Sequence, residues 1–490
     1  MMNARLPLFA ALALLLNGCA LFQDHYSKTE GMQAQEAKVP SQWQVPLPHD
    51  GKVADLRQWW GQFDDPLLNE LIAAAEANSP NVAAARSRLY QARASSVGAT
   101  GALLPKLDGI LSGSRGQQDI RFPAGTSASA GLAASWEIDL FGANSANYDA
   151  THLRYSGAQA DWHQARVTLA ADVANSYIGF RACEAALEQR NIDAASRRET
   201  SRLTGINAEA GLESPANAAL ARASAAQGGT VLTQQRAQCE IAVKALVALT
   251  AIEETTLRQR LATASMRIPE PASIAINEVP AAAIAQRPDL YSSAQAVLAA
   301  SADVSNLQAQ RLPRITLAGN ISHSRFASDT ATVEGRVWTL GPLQVTLPIF
   351  DAGLRRANVD TGRARYDEAV VNYGAKLRGA VREVEEALIN LNSANERATD
   401  AQVAVSGFAA SYTGVEVRQR HGLASLFELE DARRSLIAAR IALIEVQRDR
   451  VNAWVALYRA LGGGWKLEDQ LAAADSMPGA TRPSAQPNAH

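Results

Sequence analysis

The 490-residue chain is 47% hydrophobic but only 6% aromatic, so it can bury a large core built mainly from alanine and aliphatic side chains. That mixture favours long helices packed closely side by side over thick sandwich cores. A net charge of −2 and an isoelectric point near 6.4 give no basic footprint and argue against nucleic acid as a partner.

The N-terminus reads as a secretory signal. In "MMNARLPLFAALALLLNGC" one arginine precedes an apolar stretch from Leu6 to Leu16, which is too short for a membrane-spanning helix of about 20 residues. The last four residues resemble the lipobox of bacterial lipoproteins, which implies a signal peptide over residues 1–18 and a lipid anchor on Cys19. Because Ala20 and not aspartate follows, the resemblance favours sorting to the outer membrane. The alternative is an ordinary cleaved signal with a chance cysteine.

From residue 78 onward the chain is duplicated. The stretches that begin at Asn78 and Gln286 each place a proline before a helical segment and a Leu-Pro pair at its end. "WEIDLFG" ends 211 residues before the end of "LPIFDAG", and Gly211 of "AGLES" lies 211 residues before Gly422 of "HGLAS". These ordered landmarks predict repeat 1 over residues 78–250, a linker over 251–280 and repeat 2 over 281–461.

Each repeat is predicted to contain a helix, two strands, a very long helix, a tight turn and a returning helix. The first helix is expected over Pro80 to Leu104. The long helices fill 143–210 and 354–421, where no proline occurs and apolar residues follow coiled-coil spacing. At about 1.5 Å per residue each would be roughly 100 Å long, which is far more than a globular core requires.

The predicted strands alternate between an apolar and a polar face. In repeat 1, Leu132 and Trp136 share one face while Ser129 and Glu137 share the other, and "RITLAGNIS" repeats the pattern. Four such strands are too few to close a barrel, so lipid-facing strands would require several chains to contribute to one barrel. A small soluble sheet packed on helices is the alternative.

Both hairpin turns carry helix-ending and helix-starting signals. Gly211 and Gly422 suit the left-handed conformation that ends a helix. Ser214 and Ser425 can cap the returning helices, and Glu428 is predicted to complete a capping box with Ser425. The second turn, "HGLASLFELEDARRSL", also carries further acidic residues that capping does not explain.

Two cysteines are placed symmetrically about the first turn. Cys183 and Cys239 each lie 28 residues from Gly211, which puts them opposite each other in the helical hairpin. A disulfide is therefore predicted, since the secretory signal implies an oxidising compartment. Two buried free thiols are the alternative.

No catalytic or metal-binding motif appears. The sequence lacks HExxH, paired CxxC, GxSxG and P-loop patterns, and its seven histidines are scattered. We therefore expect no enzymatic activity, no catalytic residue, no metal and no cofactor.

The ordered motifs resemble the TolC-like outer-membrane factors, in their lipoprotein subgroup. These motifs are "QWWGQFDDPLLNELI" from Gln58, "SWEIDLFG" from Ser135, "QRPDL" from Gln286, "LPIFDAG" from Leu347 and "LYRALGGGW" from Leu457. The resemblance implies a mainly α chain with a small transmembrane β part. Three chains would form one twelve-stranded outer-membrane β-barrel, continued by a long periplasmic α-helical barrel. Residues 19–77, including Trp59, Trp60 and Phe63, and residues 462–490 would form an equatorial belt, with the end of the chain as a tail.

The resemblance also implies a function. The homotrimer would be anchored in outer-membrane lipid and act as the passive exit duct of a tripartite efflux system, with a periplasmic adaptor protein and an inner-membrane pump of the RND type. Rival interpretations are a type I protein-secretion channel and, from another class, a periplasmic adaptor or scaffold lipoprotein.

Site residues follow from the same resemblance. Hairpin-tip positions are expected to dock the adaptor, and these are Gly211, Leu212, Ser214, Gly422, Leu423 and Ser425. Phe427 and Asp431 lie four residues apart on one helix face, and three-fold symmetry would turn each into a ring about the axis. They are predicted as the periplasmic gate, with Arg434 holding the carboxylate in the closed state.

Overall fold

A computed structural model describes residues 33, 36, 56–117, 124–263, 265–271, 284 and 287–465. The predicted signal peptide, the lipidation site Cys19 and the tail after residue 465 lie outside the described residues. The chain divides into two compact units. The strand unit comprises Met1–Lys38, Tyr90–Gly157 and Ser292–Ala375, and the helical unit comprises Val39–Leu89, Ala158–Tyr291 and Lys376–His490.

The elements follow the predicted order in both repeats. Repeat 1 contains α2 (Pro80–Ala102), β1 (Lys106–Gly116), β2 (Gly125–Ile138), α3 (Ala143–Glu209) and α4 (Pro215–Thr250). Repeat 2 contains α6 (Pro288–Ala309), β3 (Arg314–Ser328), β4 (Thr332–Thr346), α7 (Leu354–Arg420) and α8 (Leu426–Ala460). A 3-10 helix (Leu56–Phe63) and α1 (Pro66–Asn78) precede the repeats, and α5 (Glu254–Leu261) lies between them.

The two long helices, α3 and α7, have 67 residues each. α2 ends at Ala102, two residues earlier than the predicted Leu104. None of the helices in the described part of the chain is sufficiently long and apolar to span a bilayer.

The four strands form one antiparallel sheet in the order β1-β2-β3-β4. The central β2–β3 pair joins the two repeats, because Leu132 of β2 lies opposite Ile321 of β3. Ile321 in turn lies opposite Trp338 of β4. This register gathers large apolar side chains on one side, which we call the apolar face: Leu107, Leu111, Leu132, Trp136, Leu317, Ile321, Trp338, Leu340, Leu343 and Val345.

The opposite, polar face is rich in hydroxyl groups. The Ser112 and Ser129 Oγ atoms lie 2.7 Å apart, as do those of Ser114 and Ser127. The apolar face is nevertheless the more exposed one, with Leu111 85% and Leu340 81% accessible. The strands therefore show the predicted alternation, and no layer of described residues covers their apolar face.

An aspartate connects each pair of strands to the long helix that follows. Asp139 accepts hydrogen bonds from the Asn144 and Ser145 backbone N–H groups at 3.0 and 2.7 Å, at the start of α3. Asp351 accepts from the Arg355 N–H at 3.2 Å, at the start of α7. The first turn of a helix has unpaired N–H groups, so a carboxylate there stabilises the strand-to-helix junction.

The helical unit contains the main hydrophobic core. Leu187 and Val381, which follow the same coiled-coil spacing, are half-buried. The other positions with this spacing are buried: Leu169, Val173, Tyr177, Phe180, Leu377, Val384, Leu388 and Leu391. Trp59 packs against Trp454 and Tyr458 of α8, with ring centroids 6.2 and 5.1 Å apart, and Trp60 stacks near Phe63. These aromatic residues thus pack the segment before α1 against α8.

A buried arginine connects α3 to the segment after α5. Arg181 is fully buried and donates to the Leu261 and Thr263 carbonyl oxygens at 2.7 and 2.8 Å. Its Nε donates to the Tyr177 hydroxyl, which donates to the Asp65 carboxylate at 2.7 Å. Burial raises the pKa of Tyr177, so the hydroxyl remains a donor. Asp65 also caps α1, where Pro66 is the first helical residue.

The arginine of the "QRPDL" motif has a similar role. Arg287 is nearly fully buried and donates to the Ala460 carbonyl oxygen at the end of α8 at 2.8 Å. It also pairs with Asp289 through two nitrogens and with Glu383 of α7. One side chain therefore links the start of α6 to α7 and α8, since a guanidinium can serve several acceptors at once.

Candidate functional site

The two hairpin turns have the same backbone structure. Gly211 and Gly422 have φ values of +73° and +74°, in the left-handed region that only glycine adopts without strain. In the first turn the Gly211 and Leu212 N–H groups donate to the Ala208 and Asn207 carbonyl oxygens.

The second turn repeats this pattern at residues 418–423, where the Gly422 and Leu423 N–H groups donate to the Gln419 and Arg418 carbonyl oxygens. Both are Schellman motifs, which satisfy the last carbonyl groups of a helix. Each long helix therefore ends in the same tight turn.

Serine caps start both returning helices. The Ser214 Oγ accepts from the Asn217 N–H and the Ser425 Oγ accepts from the Glu428 N–H, each at 3.1 Å. The Glu428 carboxylate, however, lies 2.9 Å from Arg418 of α7. Only the serine half of the predicted capping box is formed, because the opposite charge across the turn binds the glutamate instead.

The tips of the turns expose apolar side chains. Leu212 is 79% and Leu423 is 71% accessible, and the two occupy equivalent positions in the two hairpins. Beside the first, Glu213 accepts from the Asn217 side chain, which lowers the pKa of Glu213. Each tip thus presents one large aliphatic side chain on a rigid turn.

The predicted gate residues lie in the first turns of α8. Asp431 is exposed and pairs with Arg434, which is three residues further along the helix. Phe427 is half-buried one turn before Asp431. The structure therefore brings Asp431 and Arg434 together, with Phe427 on the same helix face.

A second acid-base pair nearby was not predicted from the sequence. The Glu430 carboxylate is buried, and it accepts from Arg433 and from the Ser196 hydroxyl of α3, both at 2.6 Å. Arg433 also donates to the Tyr412 hydroxyl of α7 at 3.0 Å and lies over the Tyr412 ring. This cluster, Ser196, Tyr412, Glu430 and Arg433, joins α3, α7 and α8 beside the gate residues.

The sequence contains one signal for this cluster, the spacing of three residues between Glu430 and Arg433. The same spacing occurs in the exposed pair Glu199 and Arg202. Spacing alone does not separate a buried pair from an exposed one, because burial depends on helices that are distant in sequence.

The first hairpin contains a covalent link between its two helices. Cys183 of α3 and Cys239 of α4 form a disulfide, with Cα atoms 5.6 Å apart. The bond closes a loop whose ends are 56 residues apart and which includes the first turn. Among the described residues, no group of three or more His, Cys, Asp or Glu side chains is arranged to hold a metal.

Comparisons with known proteins identify relatives along almost the whole chain. Residues 71–251 and 279–463 match the sequence model of a family described as "Outer membrane efflux protein". The two matched segments contain the two repeats of helix, strands and hairpin.

Two curated relatives and one solved structure illustrate the match. The pyoverdine export outer membrane protein OpmQ of Pseudomonas aeruginosa is 29% identical, over 88% of this chain and 92% of that protein. The solvent efflux pump outer membrane protein SrpC of Pseudomonas putida is 28% identical, over 94% and 98%. The Campylobacter jejuni CmeC outer membrane channel has the same fold, with a TM-score of 0.76 at 24% identity over 87% of this chain and 92% of that one.

Proposed function

The chain belongs to the outer membrane efflux protein family, and we propose that it forms the passive exit duct of a tripartite system that expels small molecules. It is an outer membrane channel that extends into the periplasm. In the proposal, an inner-membrane pump of the RND type supplies the energy and a periplasmic adaptor joins the pump to the duct. The chain itself catalyses no reaction.

The sheet is the observation that carries the proposal. Its apolar face is exposed, and β1 and β4 are edge strands within the chain. In lipid every backbone N–H and C=O group must be paired, so the edges need partner strands. Pairing β1 of one copy with β4 of the next closes a barrel, and three copies with four strands each give twelve strands. We therefore propose a homotrimer.

The paired hairpin tips support a docking role. Leu212 and Leu423 project from turns of identical structure, so a trimer would present six similar tips. Exposed aliphatic side chains on rigid turns suit apolar contacts with helical hairpins of an adaptor. Ser214 and Ser425 hold the turns through their caps and thereby keep the tips in place.

We propose Phe427, Asp431 and Arg434 as the periplasmic gate. Asp431 is exposed, and three-fold symmetry would place three carboxylates around the axis. Arg434 partly neutralises each carboxylate, and Phe427 adds an apolar ring one turn away. The buried cluster around Glu430 fixes this part of α8 against α3 and α7.

The cargo and the anchor complete the proposal. Two relatives are named for export of pyoverdine and of solvents, which supports small organic molecules over secreted proteins as cargo. Lipidation of Cys19 is proposed from the sequence alone, and intact-mass measurement of the mature chain tests it. The expected mass is that of residues 19–490 plus the lipid.

Reconstitution of the purified full-length complex tests the duct. The complex is expected to migrate as a heat-modifiable trimer and to produce discrete ion-conductance steps in planar bilayers. Complex boiled to monomers before addition is the control. Folded trimer without conductance would contradict the channel function and would favour a scaffold role.

A further inference from the structure

Basic side chains occupy the end of the apolar face next to the strand hairpins. His323 of β3 lies opposite Arg336 of β4, and the next pair on this face is Arg325 and Glu334. Arg115 of β1 lies beyond them, nearest the hairpin ends. We call Arg115, His323, Arg325 and Arg336 the basic cluster. All four share the face of Leu132, Ile321 and Trp338.

The distance along the strands places the cluster at the edge of a hydrocarbon layer. The apolar face begins at Ile315, and His323 lies eight residues further along β3. Eight residues span about 27 Å along a strand, or about 20 Å across a membrane when strands tilt by roughly 40°. With the same rise per residue and the same tilt, Arg325 lies about 26 Å across the membrane from the level of Ile315. Arg115 lies further from that level. An outer-membrane apolar band is about 25 Å tall, so these side chains reach the headgroup layer.

Among the described strand residues at this end of the sheet, basic side chains occur only on the apolar face. Arg325 has one weak partner, Glu334 at 3.9 Å, and both side chains are mostly exposed. On the polar face at the same levels lie hydroxyl groups, including Ser112, Ser129 and Ser324. A general need for solubility at the strand ends would not sort the charges by face. The sorting indicates a partner on the lipid side.

The strand hairpins point away from the helices within the strand unit, since β1 follows α2 and β2 leads into α3. In an outer membrane channel with periplasmic helices, the cluster therefore lies in the outer leaflet. Given the proposed function, on which this step depends, we propose that the basic cluster binds the phosphate groups of the outer-leaflet glycolipid, lipid A. Guanidinium groups bind phosphate through paired hydrogen bonds, and the acyl chains would cover Trp338 and its apolar neighbours.

Lipid A binding by the full-length trimer tests the proposal. The probe is diphosphorylated lipid A, titrated into detergent-solubilised trimer and counted by native mass spectrometry. The variant Arg325→Ala/Arg336→Ala is expected to bind lipid A about thirtyfold more weakly. Each basic residue near an anionic surface raises the affinity by a factor of roughly five, and the two factors multiply. Arg325→Lys/Arg336→Lys keeps the charge and is expected to bind within about threefold of the unchanged protein.

Controls separate this site from general charge effects. Lys106→Ala/Arg314→Ala removes two positive charges from the opposite end of the sheet and should leave binding unchanged. Dephosphorylated lipid A should bind the unchanged protein as weakly as the alanine variant does. The proposal would be overturned if the alanine variant bound lipid A as tightly as the unchanged protein, or if the control variant lost as much affinity as the alanine variant. Displacement of lipid A by millimolar inorganic phosphate would also overturn it.

Conductance measured on the same preparations separates the two proposals. The alanine variant is expected to keep the trimer and its conductance, because the substituted side chains do not face the polar side of the sheet. Lost lipid binding with normal conductance supports the lipid site. Absent conductance in the unchanged protein would instead refute the duct and, with it, the membrane placement on which the site depends.

Discussion

The pairs Glu199–Arg202, Glu430–Arg433 and Asp431–Arg434 share a spacing of three residues but differ in burial. Glu430 and Arg433 are largely buried, whereas Asp431 with Arg434 and Glu199 with Arg202 are exposed. An exposed pair contributes little to stability because water and salt screen it. A buried pair is different, because loss of one partner leaves the other's buried charge without its counter-charge.

Substitution of Glu430 by alanine tests that difference. The change leaves Arg433 and the Ser196 hydroxyl without their shared acceptor, so we expect a loss of about 1–3 kcal/mol in stability. The measurement is the thermal unfolding midpoint of the trimer. Glu199→Ala is the control with the same spacing, and its midpoint should stay unchanged. A midpoint for Glu430→Ala equal to that of the control would show that the buried cluster does not stabilise the fold.

Substitution of Asp431 by alanine tests the gate. Removing the carboxylate abolishes its pair with Arg434 and the proposed ring of charge, and we expect the conductance of the isolated channel to rise severalfold. Thermal stability should change little, because the pair is exposed. Glu199→Ala removes an exposed carboxylate with the same spacing that is not part of the proposed gate, and it should leave conductance unaltered. Unaltered conductance in Asp431→Ala would count against the gate assignment.

At residue scale, helix caps could be predicted from neighbouring residues, whereas hydrogen-bond and ion-pair partners outside the local pattern could not. The caps at Ser214 and Ser425 follow from a few neighbouring residues, and the structure contains both. The burial of Glu430 depends on Ser196, which is 234 residues away in sequence. Glu428 illustrates the same limit, since the cap residue was recognisable but its competing partner Arg418 lies across the turn.

At the scale of elements, the hairpins act as paired supports for an exposed tip. We expect Leu212→Asp/Leu423→Asp to abolish efflux by intact cells, measured as a fall in the minimum inhibitory concentration of a pump substrate. Charge on both tips removes the apolar contact with the adaptor, while the backbone turns remain. Conductance of the purified double variant should equal that of the unchanged protein.

A control variant tests whether the position of the charge matters. Ile241→Asp places the same charge on an exposed apolar position of α4, away from the turn, and should leave efflux intact. Normal efflux by the tip variant would contradict the docking role.

The disulfide supports only the first hairpin. Loop-entropy arguments give up to about 4 kcal/mol for a closed loop of this length. We therefore expect Cys183→Ser/Cys239→Ser to unfold at lower temperature than the unchanged protein. Mass spectrometry after alkylation without reductant should find both thiols protected in the folded protein. Two alkylated thiols in folded protein would show that the bond does not form.

The elements themselves were largely readable from sequence because each depends on local periodicity. Coiled-coil spacing predicted two long helices, and alternation predicted the strands. The contacts that join one element to the next were harder to predict. Asp139 continues the polar face of β2 in the sequence pattern, yet it caps α3 after the strand has ended. The role of Arg181 was missed because its acceptors are backbone carbonyls, which no sequence motif identifies.

At the scale of the whole molecule, the sheet unites the two repeats. The β2–β3 pairing is specified by register, and that register aligns the apolar residues of both repeats on one face. Sequence alternation predicted the two faces of β2 and β3, but it did not reveal which strands are neighbours. Strand order depends on backbone pairing between segments almost 200 residues apart, for which side-chain patterns contain little information.

A pair of adjacent substitutions in β2 tests the membrane placement. Leu132 and Ala133 lie at the same depth but on opposite faces, since Leu132 is opposite Ile321 and Ala133 is opposite Asn320. Leu132→Arg places a charge against lipid, at a cost of about 2–4 kcal/mol per chain near the middle of the membrane. Ala133→Arg faces the water-filled interior and avoids that cost. We expect Leu132→Arg to reduce the amount of heat-modifiable trimer in outer-membrane fractions severalfold, and Ala133→Arg to accumulate normally but with altered ion selectivity. Equal accumulation of the two variants would contradict a lipid-facing apolar face, because a soluble sheet would not distinguish these neighbours by membrane depth.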